Sequence, residues 1–271
     1  MRNVVSLLRA SASLGLSLLL AACSTLVQVP NSTTLSPAVP IQQAEQGYAR
    51  VLQRHVNERG EVDFAALRDD SSEHGIKALE TYASAIARTP LQAASSGDAR
   101  LAHMINAYNA LSMYNVIDSG IPRSHDGWAK VRFFVLRTFE IGGVQMSLYA
   151  FENNIIRKLN DPRVHFALNC SARSCPVLPR TLFSAEKLND ELDRESRNFF
   201  ANPENLRIDH ATRTVFFNAI LQFYTEDFTP SHAPDLIAYA QRYSATKIPA
   251  DYTVAFAPYD WTIANSGPGA K

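Results

Sequence analysis

Apolar residues recur every three to four positions from Ile41 to about Val56, and this rhythm predicts a helix that stops near Asn57 and Gly60. The same spacing predicts a second helix over His74–Ala87, closed by Thr89-Pro90, and a third over Ala99 to about Ile117, with Asp98 as its N-cap and Gly120 past its end. The third helix is apolar on most sides, so it is expected in the core, yet Asn106 and Asn109 fall three residues apart on it, on one face. Alternation predicts strands at Val131–Val135 and Arg137–Ile141, with Gly142-Gly143 turning the chain toward a strand at Val144–Met146. Ser147 caps a helix to about Lys158, and the short apolar run Val164–Asn169 reads as a buried strand. Further on, Ser184 opens a helix to Ala201, with Glu186 in its first turn. Leu206–Ile208 and Thr214–Phe217 form a hairpin, Ile220–Phe228 and Pro234–Tyr243 are short helices, and Thr253–Ile263 is extended. Helices and strands alternate without the period of a doubly wound sheet. The expected class is α+β, a mostly helical single domain with short strands and hairpins.

The N-terminus carries a different signal. Arg2 and Arg9 precede an apolar run from Leu14 to Leu20, followed by Ala21, Ala22 and Cys23. This is the order of a secretory signal, and the run is too short to span a bilayer. Leu20-Ala21-Ala22-Cys23 resembles the bacterial lipobox, which implies cleavage before Cys23 and lipidation of its thiol. Ser24 in place of an Asp implies the outer membrane, with the protein facing the periplasm. The Ser-, Thr- and Pro-rich stretch that follows reads as a flexible tether. The expected organisation is a signal peptide at 1–22, a lipidated Cys23 and tether at 23–40, a domain at 41–265 and a short tail at 266–271.

Charge narrows the partners. Lys plus Arg equals Asp plus Glu at 26 each, with no long run of one sign, so no concentrated basic footprint exists for nucleic acid. The expected partners are the membrane, through the lipid on Cys23, and a peptide or cell-envelope polymer.

The candidate chemistry lies in DPRVHFALNCSARSCP, Asp161 to Pro176, which places His165, Cys170 and Cys175 within eleven residues. Three readings are open. The two cysteines could form a disulfide in an oxidising compartment, closing a small loop worth about 2 kcal/mol in the chain-entropy account. One cysteine could be a nucleophile activated by His165, with Asn106 or Asn109 orienting the imidazole. A strand at Val164–Asn169 would then turn His165 and Cys170 to opposite faces unless it ended at Asn169. The three residues could also ligate zinc with a fourth donor from His103, His125 or Asp161, but nothing in the sequence selects one. We assign no metal and no cofactor. Asn106 and Asn109 could equally fix loop backbone in the core. Glu226 and Asp227 could cap a helix or pair with an arginine, and Tyr259-Asp260-Trp261 reads as packing for the last strand.

Several segments occur together in a recognisable order: Val62-Asp63-Phe64, Ile105 to Leu111 (INAYNAL), Met146-Ser147-Leu148, Asp161 to Cys170 (DPRVHFALNC) and Phe223 to Phe228 (FYTEDF). In this the chain resembles the DUF547 family over roughly residues 45–265. The resemblance implies a domain boundary and little chemistry, since the family's name records that its function is not established. Two functions fit. One is a cysteine/histidine-dependent hydrolase or transferase of the cell envelope, with His165, Cys170, Cys175, Asn106 and Asn109 as its site. The other is a non-enzymatic adaptor with a disulfide-closed loop.

Overall fold

The computed structural model describes residues 24–30, 39–93 and 96–267. The signal segment, Cys23 and most of the expected tether lie outside the described residues. The tether's first residues do not. Thr25–Leu26 (β1) pairs in parallel with Arg137–Ile141 (β2), Val27 donates its N–H to Thr138 O at 2.8 Å, and its side chain is buried in the main core. An apolar side chain with a vacant sheet edge beside it overrides a loop-like composition.

Helix α1 (Ile41–His55) packs on α3 (Ile76–Arg88), with Tyr48 stacked on Tyr82 at 5.1 Å. Between them runs a short helix absent from the sequence reading, α2 (Phe64–Asp69), started by Asp63, whose carboxylate accepts from Ala66 N. The central helix α4 (Gly97–Asp118) is buried almost throughout from Leu101 to Ile117. Its N-cap is Ser96, whose hydroxyl accepts from Ala99 N; Asp98 instead sits in the first turn, facing the positive end of the dipole.

Asn106, Asn109, Ser112 and Asn115 recur every three residues on α4 and are all buried. Each such step falls about 60° short of a full turn, so the side chains face successive neighbours around the helix. Asn106 bonds Phe183, Asn109 bonds the Ala167–Asn169 turn, and Asn115 bonds Phe133 O and Arg137. The helix pegs three otherwise separate loops to one rod.

After α5 (Trp128–Val131) the run Arg132–Leu136 is a π-helical turn, not the expected strand. A five-residue apolar run does not reveal its period, and the bond from Asn115 to Phe133 O holds this one helical. The hairpin of β2 with β3 (Val144–Ser147) is antiparallel, turned at Gly142 and Gly143, both at positive φ. Ser147 caps α6 (Leu148–Phe151), which continues as a π turn over Glu152–Ile156 and a 3₁₀ turn over Arg157–Leu159.

Pro162–Phe166 is a 3₁₀ helix rather than part of a buried strand. Asp161 accepts from Arg163 N and Pro162 stands in the first turn, a helix-start signal that outweighs the apolar run. The next helix, α7, spans Leu188–Ala201; Ser184 and Glu186 belong to the turn before it.

A second sheet pairs β4 (Leu206–Asp209) antiparallel to β5 (Thr214–Asn218), and β5 in turn pairs parallel with β6 (Thr253–Ala257). Between β5 and β6 lie α8 (Ile220–Phe223), α9 (Thr225–Phe228) and α10 (Leu236–Gln241), with Tyr224 interrupting what reads in the sequence as one helix. The architecture is the expected α+β with a helical majority. Among the described residues no helix is long and apolar enough to cross a membrane.

Two apolar clusters form the interior, one around α4 and one built on Phe166, Phe199, Phe217 and Phe228. The 3₁₀ helix at Pro162–Phe166 straddles them: Val164 belongs to the first and Phe166 to the second. His165 therefore lies in the seam.

Candidate active site

In this seam His165 is buried, and its Nε2 lies 2.7 Å from Asp227 Oδ2. Its ring stacks on Tyr224 at 3.9 Å and meets Phe228 edge-on at 5.4 Å, which fixes its plane. Asp227 is held in turn by Arg157, whose Nε donates to Oδ2 at 2.6 Å and Nη2 to Oδ1 at 2.8 Å. This two-pronged geometry leaves the carboxylate little freedom. Burial pushes the Asp227 carboxyl up, but the hydrogen bonds from His165 and Arg157 outweigh it and hold the group well below the usual range. An ionised Asp227 places the imidazole proton on Nε2, and Nδ1 makes no hydrogen bond among the described residues.

The two cysteines are free thiols with their sulfurs 2.7 Å apart; no disulfide is present. Three donors converge on Cys175 Sγ: the Cys170 thiol, the Cys170 backbone N–H at 3.2 Å and the Tyr259 hydroxyl at 3.3 Å. Burial alone pushes the Cys175 thiol up, yet these donors outweigh it and bring its pKa below the ordinary value. Cys170 moves oppositely: its hydrogen bond to Cys175 and its burial push it well up. Of the pair, Cys175 is the more readily ionised and Cys170 the more tightly protonated.

A chain of amides shapes this loop. Asn109 donates to Ala167 O at 3.0 Å and accepts from Asn169 N at 2.8 Å. Asn169 donates to Pro176 O at 2.7 Å and accepts from Ser171 N at 2.7 Å, closing the cysteine loop at both ends. The C-terminal segment laces across it, with Arg173 N donating to Thr262 O and Ala264 N to Ser171 O. His125 Nε2 lies 3.0 Å from the Cys170 carbonyl. Burial drives its pKa down to about 4, against the pull of that carbonyl, so a neutral His125 donates to it.

His165, Cys170 and Cys175 all line one cleft of about 60 Å³, whose walls also include Glu152, Tyr108, Tyr224, Phe134 and Tyr259. The divergence that a strand would impose on His165 and Cys170 does not arise, because the chain turns through a 3₁₀ helix. Asn106 and Asn109 both bond backbone; the residue bonded to His165 is Asp227. Among the described residues no group of three or more His, Cys, Asp or Glu gathers as metal ligands. His103 pairs with Glu45, and Asp161 with Arg163.

The sequence reading missed Glu152, Tyr108 and Tyr224 as site residues and treated Tyr259 as core. Glu152 opens a π turn, a local irregularity that often marks function, but it looks in sequence like one more polar helix position. Tyr259 showed no signal at all, since its partner sulfur is eighty-four residues away.

Comparison with known proteins adds a partial family match and no chemistry. No curated protein and no solved structure matches the chain. Residues 92–200 match DUF547, described as a protein of unknown function. That stretch contains His165, both site cysteines, Asn106, Asn109 and Glu152, while Asp227, Tyr224 and Tyr259 lie beyond it. The similarity to DUF547 thus extends over residues 92–200, less than half of the chain, and carries no assigned function.

Proposed function

We propose that this protein is a thiol-dependent hydrolase or transferase of the cell envelope, with Cys175 as nucleophile, His165 as base and Asp227 orienting His165. The observation that carries the reading is the 2.7 Å His165–Asp227 contact on the wall of the cleft that also holds a hydrogen-bonded, charge-stabilised thiol. His165 Nδ1 takes the Cys175 thiol proton as Sγ attacks the acyl carbon, and the leaving amine or alcohol then takes that proton from Nδ1, leaving a thioester. Water then gives a proton to His165 Nδ1 and its oxygen to the acyl carbon, which frees the acid, and that proton passes back to Cys175 to restore the thiol. An amine or alcohol replacing water in this step gives transfer instead. The substrate class we favour is a peptide or peptidoglycan-like amide.

The lipobox-like Cys23 anchors the protein to the outer membrane, facing the periplasm. Only Ser24 separates Cys23 from the docked strand β1, so the lipid holds the body close to the bilayer rather than at the end of a long tether. Metabolic labelling with palmitate tests the anchor: label should enter the wild-type chain and be absent from Cys23→Ser.

The catalytic step is tested with p-nitrophenyl acetate on reduced protein, followed by mass mapping. An acetyl group on Cys175, absent in Cys175→Ser and formed much more slowly in His165→Ala, is the expected result. If neither thiol takes acetate or iodoacetamide after reduction, the reading fails.

The contact between the two sulfurs supports a second reading, an adaptor whose Cys170–Cys175 loop closes as a disulfide in the periplasm. In that case Cys170→Ser, Cys175→Ser loses some stability while His165→Ala keeps its binding and phenotype. A His165→Ala strain that behaves like a deletion rules it out.

A further inference from the structure

Glu152 has no role in the thiol chemistry, and its surroundings are unusual. It is 6% exposed, it lines the cleft, and among the described residues it forms no ion pair. Tyr108 donates to its Oε2 at 3.0 Å, and the Tyr224 hydroxyl faces the same carboxylate. Burying a carboxylate without a cation is costly, and two phenol donors compensate only in part. The nearby guanidinium of Arg157 is taken up by Asp227 and Glu226. Lys130 stands 4.0 Å over the Trp261 ring and does not pair with Glu152.

The cleft that this carboxylate lines is walled largely by aromatic rings, among them Tyr108, Tyr224, Tyr259 and Phe134. A buried carboxylate held by phenol hydroxyls and opening into a small cleft attracts an ammonium as its counter-charge. The cleft is small. At about 60 Å³, and with one water needing roughly 10–15 Å³ by the same measure, it seats roughly four to six non-hydrogen atoms. An ammonium, the carbon that bears it and an acyl group fill that space.

We propose that Glu152, with Tyr108 and Tyr224, is an ammonium subsite. The substrate is then an acyl compound carrying a primary amine beside its acyl carbon, as an aminoacyl group does. This rests on the thiol reading for the acyl half of the substrate and deepens it. It makes Glu152 a specificity determinant rather than a participant in bond making.

The test compares glycinamide with propionamide, which differ by an ammonium in place of a methyl group. Each is titrated by NMR at about pH 6.5, below the α-amino pKa near 8. The proteins are wild type, Cys175→Ser, Glu152→Gln and Glu152→Asp, each first shown to be folded by its melting curve. Glycinamide should bind about tenfold tighter than propionamide in the wild type. The preference should persist in Cys175→Ser, which lacks the thiolate, survive in part in Glu152→Asp and vanish in Glu152→Gln. No preference in the wild type, or an unchanged one in Glu152→Gln, overturns the subsite. A preference that persists while p-nitrophenyl acetate leaves no adduct on Cys175 keeps the subsite and removes the thiol chemistry.

Discussion

His165 and Asp227 are sixty-two residues apart in the chain and 2.7 Å apart in the structure, at the seam between two apolar clusters. The 3₁₀ helix brings the imidazole, the turn after Tyr224 brings the carboxylate, and Arg157 locks the carboxylate in place.

Asp227→Asn should therefore disable the base. An amide can donate to Nε2 and so shift the imidazole proton onto Nδ1, where a base must be free. Acylation by p-nitrophenyl acetate should fall by about 10²-fold or more, with the melting curve showing a folded protein.

Acid should weaken the fold through the same residue. Its folded pKa lies below the unfolded value, so the unfolded chain binds protons first as pH falls. The stabilisation from Asp227 is complete above about pH 4 and is lost as pH drops below that toward the folded value. Urea midpoints at about pH 6 and about pH 3 should converge in Asp227→Asn relative to wild type; an identical pH response in both would contradict this.

Tyr259→Phe removes one donor from the Cys175 sulfur. With less support for the thiolate its pKa rises, and the iodoacetamide rate profile should move to higher pH while the plateau rate at alkaline pH stays close to wild type. A profile that does not move would show that Cys170 and its N–H hold the charge alone.

Asn109→Ala leaves the Ala167 carbonyl and the Asn169 N–H without their buried partner. At roughly 1–3 kcal/mol for each orphaned group, unfolding free energy should drop by about 2–6 kcal/mol, measured by urea titration. The cysteine loop should loosen as well, seen as faster alkylation of Cys170.

Val27→Asp puts a charge where the β1 segment meets the core. The segment should peel from β2 without unfolding the body, and chymotrypsin should cut after Leu26 about tenfold faster or more, with the body's melting temperature little changed.

Much of the fold was legible in the chain itself. Helices α1, α3 and α4 follow their apolar period, and the β2–β3 hairpin follows Gly142-Gly143, because these elements are specified by neighbours a few residues away. Short apolar runs were not legible. Val131–Val135 and Val164–Asn169 suit a strand and a tight helix equally well, and caps and distant bonds decided both.

The site divides in the same way. His165, Cys170 and Cys175 were visible as candidates because imidazole and thiol groups crowd one short segment. Asn106 and Asn109 were visible as polar residues on an apolar helix, but sequence could not say that their amides bond backbone. Only the tertiary structure brought Asp227 to His165 and Tyr259 to Cys175, and put Glu152 in the same cleft. Local spacing determined which chemical groups the chain owns. Long-range packing across the seam decided which of them meet, because hydrogen bonds and charge stabilisation act over a few ångströms of space, whatever the distance along the chain.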